Sequence, residues 1–579
     1  MYLDRPRLNF SGQFYTNVST INNTTSNYDR VDPTTVGWNP NGRALYRIVG
    51  GTVGSVQART QDTSMMGAAV SSTNSPNPGK LVDIDPDQQA LSQVIGVQLQ
   101  VKTPSGAGFT GTLVPCNLQD MWTRSLTGKG KAGGRQASAS FISVLEDVVW
   151  TNVEQSAFLQ ELQAATVPNR LAIRFVLDSY FFGEVTDPTS GLGRIVGTIG
   201  PFTEGQPTQF VTRRLVPNQS QTTKVTLADT EEPVGHDNVP MVRASTRRRV
   251  STRSLPPMQA CNFQLDVSSS RLTIDLGNSI QNTTFGGEPV PVGLLRVVLT
   301  GADGSVTPLG KPFPYTATDN IATAGIFDIS LTADQAAKAA RTPVGLQVQP
   351  PGQKAWNTVL AEDAQGRYAN VAPFTLRVVA GAVQEVTVQA FQWGQPLAGE
   401  SLTLTGTVSE DDSGNPTGTP AQLDIQGSQG PGVSVTDAQG RATFRLVTVN
   451  PTLKPIRQHL DSLVYLLTGP WVTWGGGLLA QGIQPAALLV WAPYPRAGVA
   501  NPTWEEDVQP IFNQYMMLYP GMKQILDLTN EQVVRQHLQP LLNVLSLPFE
   551  HPGTMPVTRD LSPQKIEVIK TWIRSQLAG

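Results

Sequence analysis

Short segments in which apolar and polar residues alternate recur along most of the chain, bounded by Gly, Pro, Asn or Asp. Clear examples are residues 94–101, 171–177 and 194–199. A period of two places alternate side chains on opposite faces of a strand. The 53 Gly and 44 Pro provide the turns that many short strands require. The pattern predicts a mainly β protein.

With 579 residues, the chain is longer than one hydrophobic core usually serves. We expect a β-rich N-terminal domain over 1–215, a polar linker or loop over 216–258, a second β-sandwich or jelly-roll domain over 259–380, an immunoglobulin-like β-sandwich over 381–494, and a small all-α C-terminal domain over 495–579. The opening strand, which contains Leu8, Phe10 and Phe14, is expected to close a sheet.

Helical spacing is confined to a few segments. Residues 138–151 and 155–165 show it inside the first domain, and the second places Phe158, Leu159 and Leu162 on one face. An Ala-rich helix is expected at 332–340, where Thr332 can cap the first amides.

Start signals divide the last segment into helices. Thr503 precedes an apolar stripe, Asn530 is a second cap, and Ser562 stands directly before a Pro at the first position of the final helix. These signals predict a compact helical unit after the β-rich domains.

Charge and cysteine content exclude several classes of protein. The formal net charge of −3 gives no global case for binding nucleic acid or an anionic membrane. Cys116 and Cys261 lie far apart, which favours two buried, reduced thiols.

No apolar run of about 18 residues is present, and no apolar segment follows Arg5 and Arg7. We therefore expect a cytoplasmic protein.

The usual signatures of catalysis are missing from the sequence. The four histidines are His236, His459, His537 and His551, and none has Glu-x-x-His or His-x-x-x-His spacing. There is no P-loop and no Gly-x-Ser-x-Gly elbow. We predict no catalytic residue and no cofactor-binding residue.

One carboxylate pattern suggests a metal. Asp83, Asp85 and Asp87 occupy alternate positions of an extended segment, so their side chains point to the same side. This arrangement suits calcium or an amide-rich loop, although the Gly-turned loop of an EF-hand is absent.

Two stretches near the N-terminus form a motif. Arg7, Phe10 and Gly12 belong to Pro-Arg-Leu-x-Phe-x-Gly, and Asn22, Asn23 and Trp38 belong to an Asn-rich segment and a Gly-Trp-Asn-Pro turn. These residues resemble the start of the violacein-type iminophenylpyruvate dimer synthases and of their β-rich relatives found beside ferritin-like proteins. In those synthases a β-rich region and a helical stretch precede a ferritin-like domain, and this chain is similar to the first two parts only.

A C-terminal motif supports the same resemblance. Met555 and Arg559 belong to Met-Pro-x-x-Arg-x-Leu-Ser, which is similar to the end of the helical stretch in those synthases. The segment also resembles a class I cytochrome c domain. Covalent haem requires Cys-x-x-Cys-His, which the chain lacks, so the resemblance is to a haemless domain.

The resemblance implies two functions. One is a non-catalytic multidomain β scaffold, or companion subunit, that binds a separately encoded ferritin-like protein. The alternative is a subunit of an iminophenylpyruvate dimer synthase-like enzyme in amino-acid-derived natural-product biosynthesis. Self-assembly into a homo-oligomer is compatible with both. An adhesin is disfavoured by the missing export signal.

Overall fold

The computed structural model describes residues 1–17, 43–73, 78–84, 92–124, 137–180, 191–217, 223–227, 251–255, 258–283, 287–408, 423–448, 461–474, 486–519, 522–523 and 525–579. The fold is mainly β, with several sheets, an immunoglobulin-like sandwich and a small helical region at the C-terminus, as the sequence predicts.

The described part of the first unit consists of strands that pair antiparallel, together with the helix α1 (Ala157–Ala165). The strands are β1 (Arg7–Asn17), β2 (Leu45–Gln57), β3 (Ala69–Ser72), β4 (Gly79–Val82), β5 (Gln93–Ile95), β6 (Gln98–Lys102), β7 (Gly108–Leu113), β8 (Cys116–Asn117), β9 (Gln119–Thr123), β10 (Ala137–Thr151), β11 (Leu171–Asp178) and β12 (Leu192–Pro201). Their order is β1-β12-β11-β10-β7-β6-β3-β2-β4-β5-β8, and β9 pairs with β10.

Strand β1 closes this sheet into a ring. It pairs with β12 on one side and with β2 on the other, so that Phe10 lies opposite both Gly197 and Val53. Leu8, Phe10 and Phe14 point into the apolar core of the ring. The prediction for the opening strand is confirmed, as is helix α1, whose Phe158, Leu159 and Leu162 are buried.

The expected helix at 138–151 is wrong. This segment is the strand β10, which pairs with β7, β9 and β11. Phe141 and Leu145 face the core of the ring, whereas Ile142 and Val144 pack on a second apolar cluster outside it. Because both faces of β10 are buried, apolar residues occupy adjacent positions of the strand. Their spacing therefore also fits the 3.6-residue period of a helix.

The second unit is an eight-stranded sheet with the order β19-β18-β21-β22-β13-β16-β17-β20. Its strands and the neighbouring hairpin β14–β15 are β13 (Arg213–Pro217), β14 (Thr223–Leu227), β15 (Ser251–Leu255), β16 (Cys261–Asp266), β17 (Arg271–Asp275), β18 (Leu294–Thr300), β19 (Val306–Pro314), β20 (Ile326–Ser330), β21 (Val344–Gln349) and β22 (Asn357–Ala361). The helices are α2 (Ala317–Thr323) and α3 (Ala333–Ala339), and Thr332 caps α3 as predicted. The predicted linker over 216–258 thus contains paired strands, and β13 joins the second sheet.

The third unit is the immunoglobulin-like sandwich. Its elements are β23 (Arg367–Val371), β24 (Thr375–Val379), β25 (Val383–Gln392), β26 (Gln395–Pro396), β27 (Ser401–Thr403), β28 (Thr405–Val408), β29 (Leu423–Gly427), β30 (Gly430–Pro431), β31 (Val433–Val435), β32 (Arg441–Thr448), β33 (Ser462–Thr468), α4 (Pro470–Thr473) and β34 (Ala486–Trp491). One layer has the order β23-β25-β32-β29-β30 and the other β24-β34-β33-β28. Val388 and Phe444 of one layer and Leu463 and Leu488 of the other are buried in one core.

The C-terminal unit is helical, as predicted. A π-helical turn (Trp504–Val508) leads into α5 (Gln509–Leu518), α6 (Glu531–Arg535), α7 (Leu538–Ser546) and α8 (Pro563–Ala578). Asn530 caps α6, and the Ser562 hydroxyl caps α8 by accepting from the Lys565 amide. No helix within the described ranges is long and apolar enough to cross a membrane.

Candidate functional site

The N-terminal motif residues that the structure describes are packing residues. The Arg7 guanidinium is buried, donates to Asp328 Oδ2 at 2.8 Å, and donates to the Leu3 carbonyl at 3.1 Å. A Cβ at Gly12 would lie 2.5 Å from Gly51 Cα, so only Gly permits this approach of β1 to β2. The remaining motif residues, Asn22, Asn23 and Trp38, lie outside the described residues.

The predicted aspartate site is described only at its first position. Asp83 is buried and accepts a hydrogen bond from Ser92 Oγ at 2.6 Å. Asp85 and Asp87 lie outside the described residues, so the metal site stays a prediction. Within the described ranges, no three His, Cys, Asp or Glu side chains gather as metal ligands.

The cysteine prediction is confirmed. Cys116 and Cys261 are free and buried. Burial raises the pKa of the Cys116 thiol to about 12 and raises that of Cys261 further. Both thiols are therefore protonated at neutral pH and unreactive.

Buried ion pairs join the first unit to the second. Arg174, on β11, donates to Asp275 Oδ1 at 2.6 Å, and Tyr2 Oη donates to Asp275 Oδ2 at 2.8 Å. The Gly277 amide also donates to Asp275 Oδ1 at 3.1 Å. Burial raises the pKa of Asp275, and Arg174 offsets this only in part. Asp275 thus anchors the end of β17 to the outside of the ring.

A second carboxylate of this interface belongs to the first unit. Asp178 accepts from Arg124 Nη1 at 2.6 Å and from Arg194 Nε at 2.8 Å. Burial alone would raise the pKa of Asp178, but the two guanidinium groups outweigh it and hold the pKa below its usual value. Arg124 Nε also donates to the Ile280 carbonyl of the second unit at 2.7 Å.

We call this interface the polar seam and define it by its charged residues and one tyrosine. These are Tyr2, Arg7, Arg124, Arg174, Asp178, Arg194, Asp275 and Asp328. Each buried carboxylate in it faces at least one guanidinium group. Removing one member of such a pair is costly, because it leaves the other buried without compensation. The polar seam therefore fixes the two units relative to each other.

The C-terminal motif forms a loop, residues 547–560, that we call the C-terminal loop. Arg559 has a left-handed backbone, with φ 59°, and its buried guanidinium binds the carbonyls of the loop. Nη1 donates to Val557 O at 2.7 Å and to Thr554 O at 2.9 Å, and Nη2 donates to His551 O at 2.9 Å. Met555 is half-buried, and its amide donates to Val544 O at 3.3 Å. Through these hydrogen bonds, Arg559 holds the C-terminal loop in its conformation.

Sequence reasoning missed Asp560, the next residue. Its carboxylate is buried and accepts from Thr558 Oγ1 at 2.6 Å and from the Tyr519 hydroxyl. Burial raises its pKa to about 6, against the opposing hydrogen bonds from Thr558 and Tyr519. Trp491 Nε1, at the end of the sandwich, donates to the Asp560 carbonyl at 2.6 Å. Asp560 therefore connects the helical unit to the sandwich. Its position inside the C-terminal motif is the sequence signal that could have identified it.

An open cleft of about 460 Å³ lies between the first unit and the sandwich. Arg170, Phe202 and Phe210 line one side, and Gln389 and Arg441 line the other. The Arg170 guanidinium carbon lies 4.9 Å from the centre of the Phe202 ring. Volumes of this size are typical of small-molecule sites. Sequence reasoning missed the cleft because its two walls are distant in the chain.

The family models and the curated proteins give no match to the chain. Among solved structures, the D0-D1 domain of intimin shares 12% identity over 40% of this chain and 96% of its own, with a TM-score of 0.16. The Yersinia pseudotuberculosis adhesin InvE shares 11% identity over 38% of this chain and 53% of its own, with a TM-score of 0.15. A Salmonella alpha-2-macroglobulin shares 10% identity over 99% of this chain and 35% of its own, with a TM-score of 0.14. At these TM-scores, the likenesses carry no argument about fold or function.

Proposed function

We propose that the chain is a non-catalytic multidomain β scaffold, or companion subunit, that binds a separately encoded ferritin-like protein. The observation that carries the scaffold role is the polar seam, in which charged residues of two units are buried against each other. Buried, compensated pairs across an interface hold a fixed geometry. A fixed geometry is what a platform for a second protein requires.

The ferritin-like partner rests on the sequence resemblance, and one structural feature supports it. The two regions that carry the resemblance pack on each other, because Phe549 and Val557 of the C-terminal loop join Ala44, Val82 and Ile95 of the first unit in one apolar cluster. The C-terminal motif therefore packs against the first unit, to which the N-terminal motif also belongs. The buried free thiols agree with the cytoplasm as the location.

Co-expression with a separately encoded ferritin-like protein tests the proposal. We expect the two chains to co-elute in size-exclusion chromatography with a fixed stoichiometry. As a matched comparison, Arg174→Met should weaken the complex, because it loosens the polar seam, whereas the exposed Arg445→Met should not. Turnover of a substrate by the purified chain alone, with no partner and no metal, would refute the scaffold role.

The second candidate is a subunit of an iminophenylpyruvate dimer synthase-like enzyme in amino-acid-derived natural-product biosynthesis. The cleft favours it, since Arg170, which also pairs with Glu146, and Arg441 line it together with the buried rings of Phe202 and Phe210. Such a cleft suits a small aromatic anion. In that case activity appears only when the partner is added, and Arg441→Gln lowers it without changing complex formation.

A further inference from the structure

The positive charge of Lys80, on β4, is buried and has few acceptors or acidic groups around it. Its side chain is 6% exposed, and its Nζ donates to the Arg43 carbonyl at 3.3 Å. An ammonium group has three donors, and this is the one acceptor that the described residues offer it. No carboxylate within the described ranges forms an ion pair with it. Buried lysines are normally paired.

The groups around Lys80 are themselves cations. Burial, together with the charges of Arg559 and Arg43, lowers the pKa of Lys80 to about 8. Arg559 is buried, and its guanidinium group donates hydrogen bonds to backbone carbonyls. Because carbonyls carry no net charge, these bonds do not neutralise the charge of Arg559. Glu550 is the acidic group that acts on Arg559. Three positive charges against one negative charge leave an excess of about two.

The surroundings strengthen this excess charge. Lys80 and Arg559 belong to opposite sides of the contact between the first unit and the C-terminal loop, where Val82, Ile95 and Phe549 form an apolar cluster. A Cβ at Gly96 would lie 2.9 Å from the Glu550 carbonyl oxygen, so the two sides approach closely. Electrostatic attraction is stronger in such a setting than in open water.

We propose that the Lys80 ammonium and the Arg43 guanidinium, beside the buried positive charge of Arg559, bind an anion of the phosphate class. A phosphate group carries a charge of roughly −1.5 to −2 at neutral pH, which matches the local excess. Its oxygens accept the free ammonium donors of Lys80 and a guanidinium hydrogen of Arg43. The bound anion joins β4 to the C-terminal loop. This inference goes beyond the scaffold role and does not depend on the partner.

Isothermal titration of the full-length chain with inorganic phosphate tests the site. We expect one saturable site in the unaltered protein and at least a roughly tenfold loss of affinity in Lys80→Met, because the main donor is removed. Arg43 is exposed, so Arg43→Gln folds and weakens binding by several-fold. The exposed Lys354→Met is the matched control and leaves the affinity unchanged. Glucose 6-phosphate in place of inorganic phosphate distinguishes a phosphorylated metabolite from the free ion by its tighter binding.

Thermal unfolding of the same variants supplies the decisive contrast. Phosphate should raise the melting temperature of the unaltered protein but not that of Lys80→Met. In phosphate-free buffer, Lys80→Met should melt at the same temperature as the unaltered protein or higher, because it removes an uncompensated buried charge. A lower melting temperature in that buffer, or failure to fold, means that Lys80 stabilises the fold without a bound anion, and either result overturns the proposal. Equal binding by Lys80→Met and the unaltered protein overturns it as well.

Discussion

The polar seam and the contact made by the C-terminal loop use buried charge in opposite ways. In the polar seam, Asp275 faces Arg174, and Asp178 faces two guanidinium groups, so the charges are compensated within the chain. At the C-terminal loop, Lys80 and Arg559 are both buried, and no carboxylate of the described residues pairs with Lys80. An interface whose buried charges are neutralised within the chain needs no added ion. An interface with an excess of positive charge is stabilised when an anion binds to it. The first therefore suits a scaffold and the second a regulated contact.

The largest expected effect is the loss of one charge from the polar seam. Arg174→Met removes the main partner of Asp275, and we expect the first unfolding transition to lose ~3–5 kcal/mol. Chemical denaturation measures this change. The exposed Arg445→Met should change stability by less than about 0.5 kcal/mol. If Arg174→Met costs no more than the control, the two units are not held by the polar seam.

The pH dependence of stability should differ in sign between two carboxylates, Asp560 in the helical unit and Asp178 in the polar seam. The folded pKa of Asp560 is about 6 against 3.8 ordinarily, so its protonated form favours the folded state. Its contribution is complete below about pH 4 and is lost as the pH rises through 6, up to ~3 kcal/mol. Asp178 has a lowered pKa, so its contribution is present at neutral pH and is lost in acid.

Denaturation of the helical unit between pH 4.5 and 8 checks this prediction. We expect the unaltered unit to gain stability as the pH falls towards 5, and Asp560→Asn to lack most of that gain. The groups around Asp560 that bear on the result are Tyr519, Thr558 and Asp461. A gain of the same size in both proteins would assign the effect to another group.

The C-terminal loop should respond to loss of its central side chain. Arg559→Met leaves the carbonyls of Thr554, Val557 and His551 without their donor. We expect a cost of ~1–3 kcal/mol, centred on the C-terminal loop and its contact with the first unit. Hydrogen–deuterium exchange should show faster exchange over 549–560 and no change in β17. A change that spreads to β17 would mean that the two interfaces are coupled.

The smallest expected effect is at the cap of α8. Ser562→Ala removes the acceptor of the Lys565 amide, and we expect a loss of ~1 kcal/mol. Ser575→Ala, near the end of the same helix, is the control. Thermal unfolding of the helical unit compares the two, and equal shifts would show that the cap does not matter.

Local signals in the sequence predict much of the fold. The alternation in β1 and β11, the caps Thr332, Asn530 and Ser562, and the helix α1 follow from neighbouring residues. The strand β10 was misread because burial on both faces removes its alternation.

The candidate sites depend on contacts that no local signal reveals. Arg174 and Asp275 are 101 positions apart, and Arg7 and Asp328 are 321 apart. Pairing over such separations follows from the topology of the sheets and not from the spacing of residues. The same reason hides the cleft and the environment of Lys80, whereas Arg7 and Arg559 were found through their motifs.

Native mass spectrometry with metal analysis, on untagged protein purified from its own source, tests the central claim most directly. The scaffold account predicts a stable complex with a second, helical, iron-loaded protein, in which this chain itself carries no iron. A metal-free homo-oligomer with no companion would contradict the account.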